Sequence, residues 1–361
     1  MKINVILPSL SLRAGGGHKI MYEYANRLSK IGHDVIIYHS MFVPYTKYRM
    51  PLFLRIIRIN VLYPNSKPKW FTLDNNIRTK TISKITNKTI ENGDIVFSTC
   101  FATAFEIAKL LKEKGEKVNL IQDHETWISN EKNIFNSYKL PLNHIVINDY
   151  LLKILEKTNN KKPILLYNAI DREKFFIKTP ISDRFERSIC MLYSEEKRKG
   201  SRYGLEAIKI CKVKFPDLKV TLFSVFKRPN DIPDWIEYFQ SPLNLIEIYN
   251  KSAIFFSPSN AEGWALPPAE ALNCGCALVC TDIGGHAAYA IDNKTALLVQ
   301  PRNSDNMADK LCELLKKNDL RISLAKKGNE FIQKFSWDEN LIKIDKIFKT
   351  LINHQQQLKN S

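Results

Sequence analysis

The sequence contains no run approaching the about 18–20 uninterrupted apolar residues that a membrane-spanning helix requires. Its start, MKINVILPSL, has a short apolar stretch but no small-residue cleavage site, so an exported protein is not expected. Seven cysteines, an odd number without regular pairing, disfavour a disulfide scaffold and fit a reduced, cytoplasmic protein. Three of them, Cys274, Cys276 and Cys280, crowd into CGCALVC, but no matching His or Cys pair lies elsewhere; they read as buried small residues, not zinc ligands. No G-x-G-x-x-G follows the first apolar run, and RAGGGHK is only a loose relative, which argues against a dinucleotide oxidoreductase. There is no DxD-type acidic pair to hold a divalent cation. There is also no repeat of 20–50 residues, and no low-complexity segment beyond the polar tail HQQQLKNS, which is expected to fray.

What is present is a chain of 361 residues, 44% hydrophobic and 11% aromatic, enough to bury the cores of two domains. The formal charge is +17, with 54 Lys and Arg against 37 Asp and Glu, and it is unevenly placed. Residues 1–170 carry a net +12 and the remainder +5. Acids are scarcest over 45–90, where ten basic residues, among them Lys47, Arg49, Arg55 and Arg58, face only Asp74. Aromatics such as Tyr45, Tyr48, Phe53 and Trp70 interleave with them. Such a surface suits an anionic partner, either nucleic acid or an anionic membrane leaflet, although solvated lysine-rich faces would read the same way. Within it, PLFLRIIRINVLY (51–63) reads either as a helix lying on a membrane or as core.

Short apolar runs and helical periodicities alternate along the chain. Residues 3–8 read as a strand, Gly15-Gly16-Gly17 as a loop, 19–31 as a helix and 34–38 as a second strand, a βαβ unit. The pattern continues with strands at 94–98 and 118–122 around a helix at 102–114, then further apolar runs at 144–148 and 163–167. A second series follows: strands at 188–193, 219–223, 253–257, 277–281 and 296–299, with helices over 204–214, 243–250 and 268–273 and two more from 304 to 334. The simplest account is an α/β protein of two units joined near 168–180.

The stretch richest in chemistry is EGWALPPAE, residues 262–270, in which two carboxylates bracket a turn and a Pro-Pro helix start. A helix N-terminus with free backbone N–H groups binds phosphate, so the segment offers a diphosphate cradle with one carboxylate before it and one beyond. An ordinary capped helix with Glu270 on a solvated face is the competing reading.

This Glu-x7-Glu element, followed by ALNCGCALVCTDIGGHAAYA, resembles the donor-binding signature of retaining family-4 glycosyltransferases, the glycosyl transferases group 1. Four further stretches resemble family motifs in the same order: RAGGGHKIMYEYANRLSKIGHDV, LLYNAIDREKF, RKGSRYGLEAI and FSWDENLIKIDKIF. The resemblance implies a GT-B fold of two facing Rossmann-like domains with parallel sheets and a cleft between them. The N-terminal, acceptor-binding domain would span 1–168, completed by a C-terminal helix at about 337–355, and the nucleotide-sugar domain would span 169–336. It also implies that Glu262 contacts the transferred sugar and that Gly263, Trp264, Ala265 and Leu266 present backbone N–H groups to sugar or phosphate. Glu270 would accept from the ribose hydroxyls, Lys199 would neutralise the departing diphosphate, and Gly16 and Gly17 would approach it across the cleft. His124, in QDHETW, matches the family histidine near sugar and acceptor.

Two departures stand out. The family's Gly-Arg before Lys-Gly is replaced by YSEEKRKG, leaving Arg198 or Lys197 to supply the phosphate-binding cation, and Ala265 stands where glycine is frequent. Elsewhere, His18 is either an acceptor contact or a polar helix start; His286 reads as a structural histidine and Trp127 as a core or rim residue. The expected protein is a metal-independent, cofactor-free glycosyltransferase in the cytoplasm, peripheral on the inner membrane face. It would move a sugar from a nucleotide-sugar donor to a lipid-linked or polysaccharide acceptor, with no nucleic acid involved. The alternatives are a nucleic-acid-binding protein using the basic N-terminal half, and a nucleotide-sugar epimerase on the same fold. No RNA- or DNA-reading motif supports the first.

Overall fold

The computed structural model describes residues 1–158 and 161–360, and the chain divides into two compact units. Unit 1 is Met1–Asn168 together with the chain from Asp338, and unit 2 is Ala169–Trp337. Unit 1 carries strands β1 (Lys2–Leu7), β2 (Asp34–Ser40), β3 (Arg78–Ile82), β4 (Ile95–Thr99), β5 (Glu116–Ile121), β6 (Asn143–Val146) and β7 (Ile164–Leu165). They form one sheet in the order β3-β2-β1-β4-β5-β6-β7. Unit 2 carries β8 (Ser188–Leu192), β9 (Lys219–Ser224), β10 (Ile236–Gln240), β11 (Ile254–Ser257), β12 (Ala277–Thr281) and β13 (Ala296–Val299), ordered β10-β9-β8-β11-β12-β13.

Every strand pair in both sheets is parallel. A parallel pair needs a crossover, and crossover helices cover both faces of such a sheet, so central strands are buried at successive positions and largely apolar instead of alternating. IFFS of β11 and ALVCT of β12 are buried at every position for that reason. In each sheet the chain steps outward on one side and then returns to the other side of its first strand. The order therefore reverses between β1 and β4 in unit 1 and between β8 and β11 in unit 2. Loops at the carboxyl ends of strands flanking such a reversal diverge and leave a crevice, the usual ligand position in open α/β sheets.

Two strands went unread in the sequence, β3 and β10, and both lie at sheet edges. An edge strand is covered less completely, so RTKTI of β3 and IEYFQ of β10 keep exposed polar positions and lack the apolar run that betrays a central strand. The helix expected over 102–114 stops at Ile107: the Leu111 amide is taken by the Asn87 side chain at 2.9 Å, and only a short 3-10 turn at Lys112–Lys114 follows. The C-terminal helix runs Trp337–Asn360, longer than expected, and includes most of the tail expected to fray; Ser361 lies outside the described residues. Residues Leu52–Leu62 form a helix of which only Ile59 is buried, so the core reading of that segment is wrong.

Candidate functional site

The reversal in unit 2 brings together two loops, one after β8 and one after β11. After β8, Lys197–Lys199 make a 3-10 turn ended by Gly200 in the left-handed conformation (φ 64°), from which the helix Ser201–Lys214 starts. A side chain at Gly200 would be strained and would also meet the Pro258 carbonyl oxygen at 2.0 Å, so only glycine lets the two loops touch. They are tied by backbone: the Arg198 carbonyl accepts from the amides of Asn260 (2.7 Å) and Ala261 (3.3 Å), and Asn260 Nδ2 donates to the Lys197 carbonyl.

Glu262 is the charged centre of this junction. Lys199 Nζ donates to both its carboxylate oxygens, at 2.7 and 2.9 Å, Arg198 Nη1 approaches Oε2 at 3.4 Å, and Ser259 Oγ donates to Oε1 at 2.8 Å. The carboxylate is nearly enclosed, at 8% exposure, and burial alone would raise its pKa. The charges of Lys199 and Arg198 outweigh burial, so its pKa lies below the ordinary value and the group is ionised at neutral pH. Gly285, on the loop after β12, closes the other side: an added Cβ would sit 2.3 Å from the Glu262 carbonyl oxygen and 2.4 Å from its Cβ. A small pocket at this point is lined by Leu192, Lys199, Ser259, Glu262, Ala265 and Pro268.

The helix Leu266–Asn273 then begins, with Ala265 as an N-cap that has no side-chain bond. Pro267 and Pro268 lack N–H groups, so within the first turn only Leu266 can offer one, fewer than a Pro-Pro start was expected to leave free. The amide of Ala265, expected to face a ligand, instead donates to the Gly285 carbonyl at 3.3 Å, because its cap position turns it toward the β12 loop. Its carbonyl accepts from Tyr289 at 2.8 Å. Trp264 is buried against Tyr289 and Phe335, with its indole N–H unpartnered among the described residues. Glu270 is not on a solvated face: it is buried, and Tyr249 donates to Oε2 at 3.2 Å. His286 has both ring nitrogens engaged, with Ser257 Oγ at 3.1 Å and the Thr281 carbonyl at 2.8 Å, and burial lowers its pKa, which makes it a neutral structural residue.

The other sequence candidates lie in unit 1, around its own reversal. Gly16 and Gly17 are not loop but the first residues of the helix Gly16–Lys30, whose start has neither a side-chain cap nor an acidic residue. Gln122 Nε2 donates to the Gly17 carbonyl at 3.0 Å. His18 is held by the Ser9 carbonyl at 3.0 Å. His124, two residues beyond Gln122, bonds through Nδ1 to the Tyr138 hydroxyl at 3.0 Å and packs edge-on to Phe135; burial lowers its pKa. Beside it stands a residue that sequence reasoning passed over. Glu125 accepts from the Phe101 amide at 2.7 Å, and burial pushes its pKa up to about 7. Its presence inside QDHETW was the available signal. Ser259 carried no signal at all, since its role depends wholly on where Glu262 falls.

All seven cysteines are free, and Cys274, Cys276 and Cys280 are buried. Among the described residues no three His, Cys, Asp or Glu side chains gather as a metal site.

Residues 235–331 match the family model for glycosyl transferases group 1. That stretch includes Glu262, Glu270 and Gly285, while Arg198 and Lys199 precede it. Among curated relatives, the D-inositol 3-phosphate glycosyltransferase of Corynebacterium urealyticum is 25% identical over 174 residues, covering 43% of this chain and 41% of the relative. The N,N'-diacetylbacillosaminyl-diphospho-undecaprenol alpha-1,3-N-acetylgalactosaminyltransferase of Campylobacter jejuni is 28% identical over 107 residues, or 30% of this chain and 28% of that one. The chain thus spans less than half the length of these curated relatives. Among solved structures, the sucrose-phosphate synthase of Thermosynechococcus elongatus superposes with a TM-score of 0.76 at 13% identity, over 98% of this chain and all of that one. HepE of Anabaena, solved with UDP and glucose, gives 0.73 at 12%, over 97% and 100%. The fold is accordingly that of the GT-B glycosyltransferases, an α/β chain with two parallel sheets.

Proposed function

We propose that the protein is a retaining glycosyltransferase that moves a sugar from a nucleotide-sugar donor to a lipid-linked or polysaccharide acceptor. The observation that carries the reading is the ionised Glu262, held by Lys199, Arg198 and Ser259 at the strand reversal of unit 2 and largely within the stretch that matches glycosyl transferases group 1. HepE supports a nucleoside diphosphate donor by its bound UDP, and the Campylobacter relative supports a lipid-linked acceptor by its name.

Glycosyl transfer develops positive charge at the anomeric carbon while negative charge accumulates on the leaving diphosphate. In our reading Lys199 exchanges its bond to Glu262 for the diphosphate, and Arg198 takes the place of the family arginine. Glu262, released from that pair, accepts from hydroxyls of the transferred sugar, with Gly263, Trp264 and the Leu266 amide around it. Glu270 faces the ribose. Two cations and a helix start supply the charge stabilisation that a metal would otherwise provide, so we assign the reaction no metal. Gly16 and Gly17, at the uncapped helix start of unit 1, are assigned to phosphate, and His124 to the sugar and acceptor. Unit 1 is the acceptor-binding unit and unit 2 the donor-binding one.

Glu262→Ala and Lys199→Ala, each verified to be folded, should each lower transfer by about 10²–10³-fold, the scale of one lost transition-state contact. Thermal shifts with a panel of UDP-, GDP-, dTDP- and ADP-sugars identify the donor, since a ligand that binds only the folded state raises its apparent stability. Full activity in both variants would overturn the assignment.

A further inference from the structure

The helix Leu52–Leu62 presents an apolar face to solvent. Leu52, Ile56, Ile59 and Tyr63 turn inward onto Leu10 and Met41. The opposite side carries Phe53 (62% exposed), Leu54 (40%), Ile57 (57%) and Val61 (74%), with Leu62 (42%) beside them. At about 100° per residue, Phe53, Ile57, Val61 and Leu54 occupy one face roughly opposite the buried one. A solvent-facing helix ordinarily carries its polar residues there, and a contiguous apolar patch marks an interaction site. The helix, LFLRIIRINVL, has no acidic residue, and its outward polar groups are Arg58 and Asn60.

The surrounding charge selects the partner. Between residues 45 and 90 the only acid is Asp74. Lys47, Arg49, Arg58, Lys67 and Lys69 make no ion pair with an acid among the described residues. Large exposed apolar side chains on a helix that carries Arg58 and is flanked in sequence by cations without acidic partners match the interface of an anionic bilayer, where the former enter the acyl boundary and the latter meet phosphates. Eleven residues span about 16 Å, half the hydrocarbon thickness, so the helix can lie in the surface but cannot cross it. No helix among the described residues is long and apolar enough to cross a membrane.

We infer that the outward face of Leu52–Leu62 docks the protein on an anionic lipid surface, with Phe53, Ile57 and Val61 as anchors and Arg49 and Arg58 as phosphate contacts. Its use, delivering unit 1 to lipid-linked acceptors, rests on the glycosyltransferase reading; the docking itself does not.

The test uses the full chain and vesicles of phosphatidylglycerol and phosphatidylcholine in equal parts, against phosphatidylcholine alone, without donor or acceptor. Co-sedimentation should favour the anionic vesicles and fall with added salt. The triple variant Phe53→Ser/Ile57→Ser/Val61→Ser, whose positions lie outside the core, should lose binding by about tenfold or more. Arg49→Gln and Arg58→Gln should each weaken it about fivefold. Ile57→Trp should show a blue-shifted fluorescence component on anionic vesicles only, which reads the docking without removing an anchor. Binding unchanged by the triple variant, no preference for anionic lipid, or self-association in solution abolished by the triple variant would each overturn the proposal. Transfer to a water-soluble acceptor fragment should survive the triple variant. Loss of vesicle binding with transfer intact therefore separates the docking face from the catalytic assignment.

Discussion

At the scale of single residues, two carboxylates show how burial and neighbours divide the work of setting a pKa. Glu262 and Glu125 both sit in loops at the carboxyl ends of central strands, and burial acts on both to favour the neutral acid. Glu262 has Lys199 and Arg198 against it and is driven below the ordinary value; for Glu125, burial together with the like charge of Asp123 outweighs the Phe101 amide and the Cys100 thiol, and it is driven up to about 7. The consequences for stability have opposite signs. Between pH 4.5, its ordinary value, and 7, the unfolded chain has released the Glu125 proton while the folded chain retains it, so this group lowers stability as pH rises through that window. Glu125→Gln should therefore raise the melting temperature relative to the parent at pH 8, and the difference should close by pH 4.5, as scanning fluorimetry across pH would show. Glu262 behaves in the other sense: its contribution is complete above the ordinary carboxylate value and is lost as pH falls through its lowered one. EGWALPPAE announced Glu262, Glu270 and the helix start between them. Ser259 and Glu125 went unread as partners: the Ser259 bond spans only three residues but depends on how the loop after β11 folds, and Glu125 meets the Phe101 amide 24 residues away.

Individual elements explain why the candidate site stands where it does. β8, β11 and β12 are short, largely apolar and easily read, and each delivers one loop to the same end of the sheet. The loops are then locked by glycines at contacts where a side chain does not fit: Gly200 against Pro258, and Gly285 against Glu262. Gly285→Ala places a methyl carbon within 2.6 Å of Glu262 backbone atoms, so the loop after β11 must move. We expect a loss of about 1–3 kcal/mol in urea unfolding, the scale of an overpacked site. Under the proposed function, transfer should fall further than that loss accounts for, because the displaced residue is Glu262. An unchanged Glu262-dependent activity would show that the loop adapts. The edge strands β3 and β10 illustrate the opposite case: half-exposed, they carry polar residues that local pattern reading assigns to loops.

Over the whole molecule, the two ends of the chain build one unit. The C-terminal helix packs Ile344 and Phe348, both fully buried, into unit 1; Phe348 lies 5.3 Å from Phe97, which in turn meets Tyr24 at 5.7 Å. Asn340 reaches the Tyr167 carbonyl, and His33 meets Asp345 at 2.8 Å. Phe348→Ala should cost about 3–5 kcal/mol, as buried aromatic truncations do. Hydrogen exchange should place that loss in β1, β4 and β5 and leave β11 and β12 of unit 2 protected. Protection lost equally in both sheets would contradict this division. The fold class, the central strands and the Glu262–Glu270 segment were legible in the linear chain, because apolar periodicity and short motifs are local properties that neighbours along the backbone impose. The charge excess was legible too, as a sum and as the basic stretch over 45–90. Three things were left to tertiary contacts: that Leu52–Leu62 turns an apolar face outward, that the Ala265 amide serves Gly285, and that Lys199 sits on Glu262, 63 residues away. Burial, hydrogen-bond partnership and charge pairing depend on atoms brought close by the strand order, and no local pattern encodes that order.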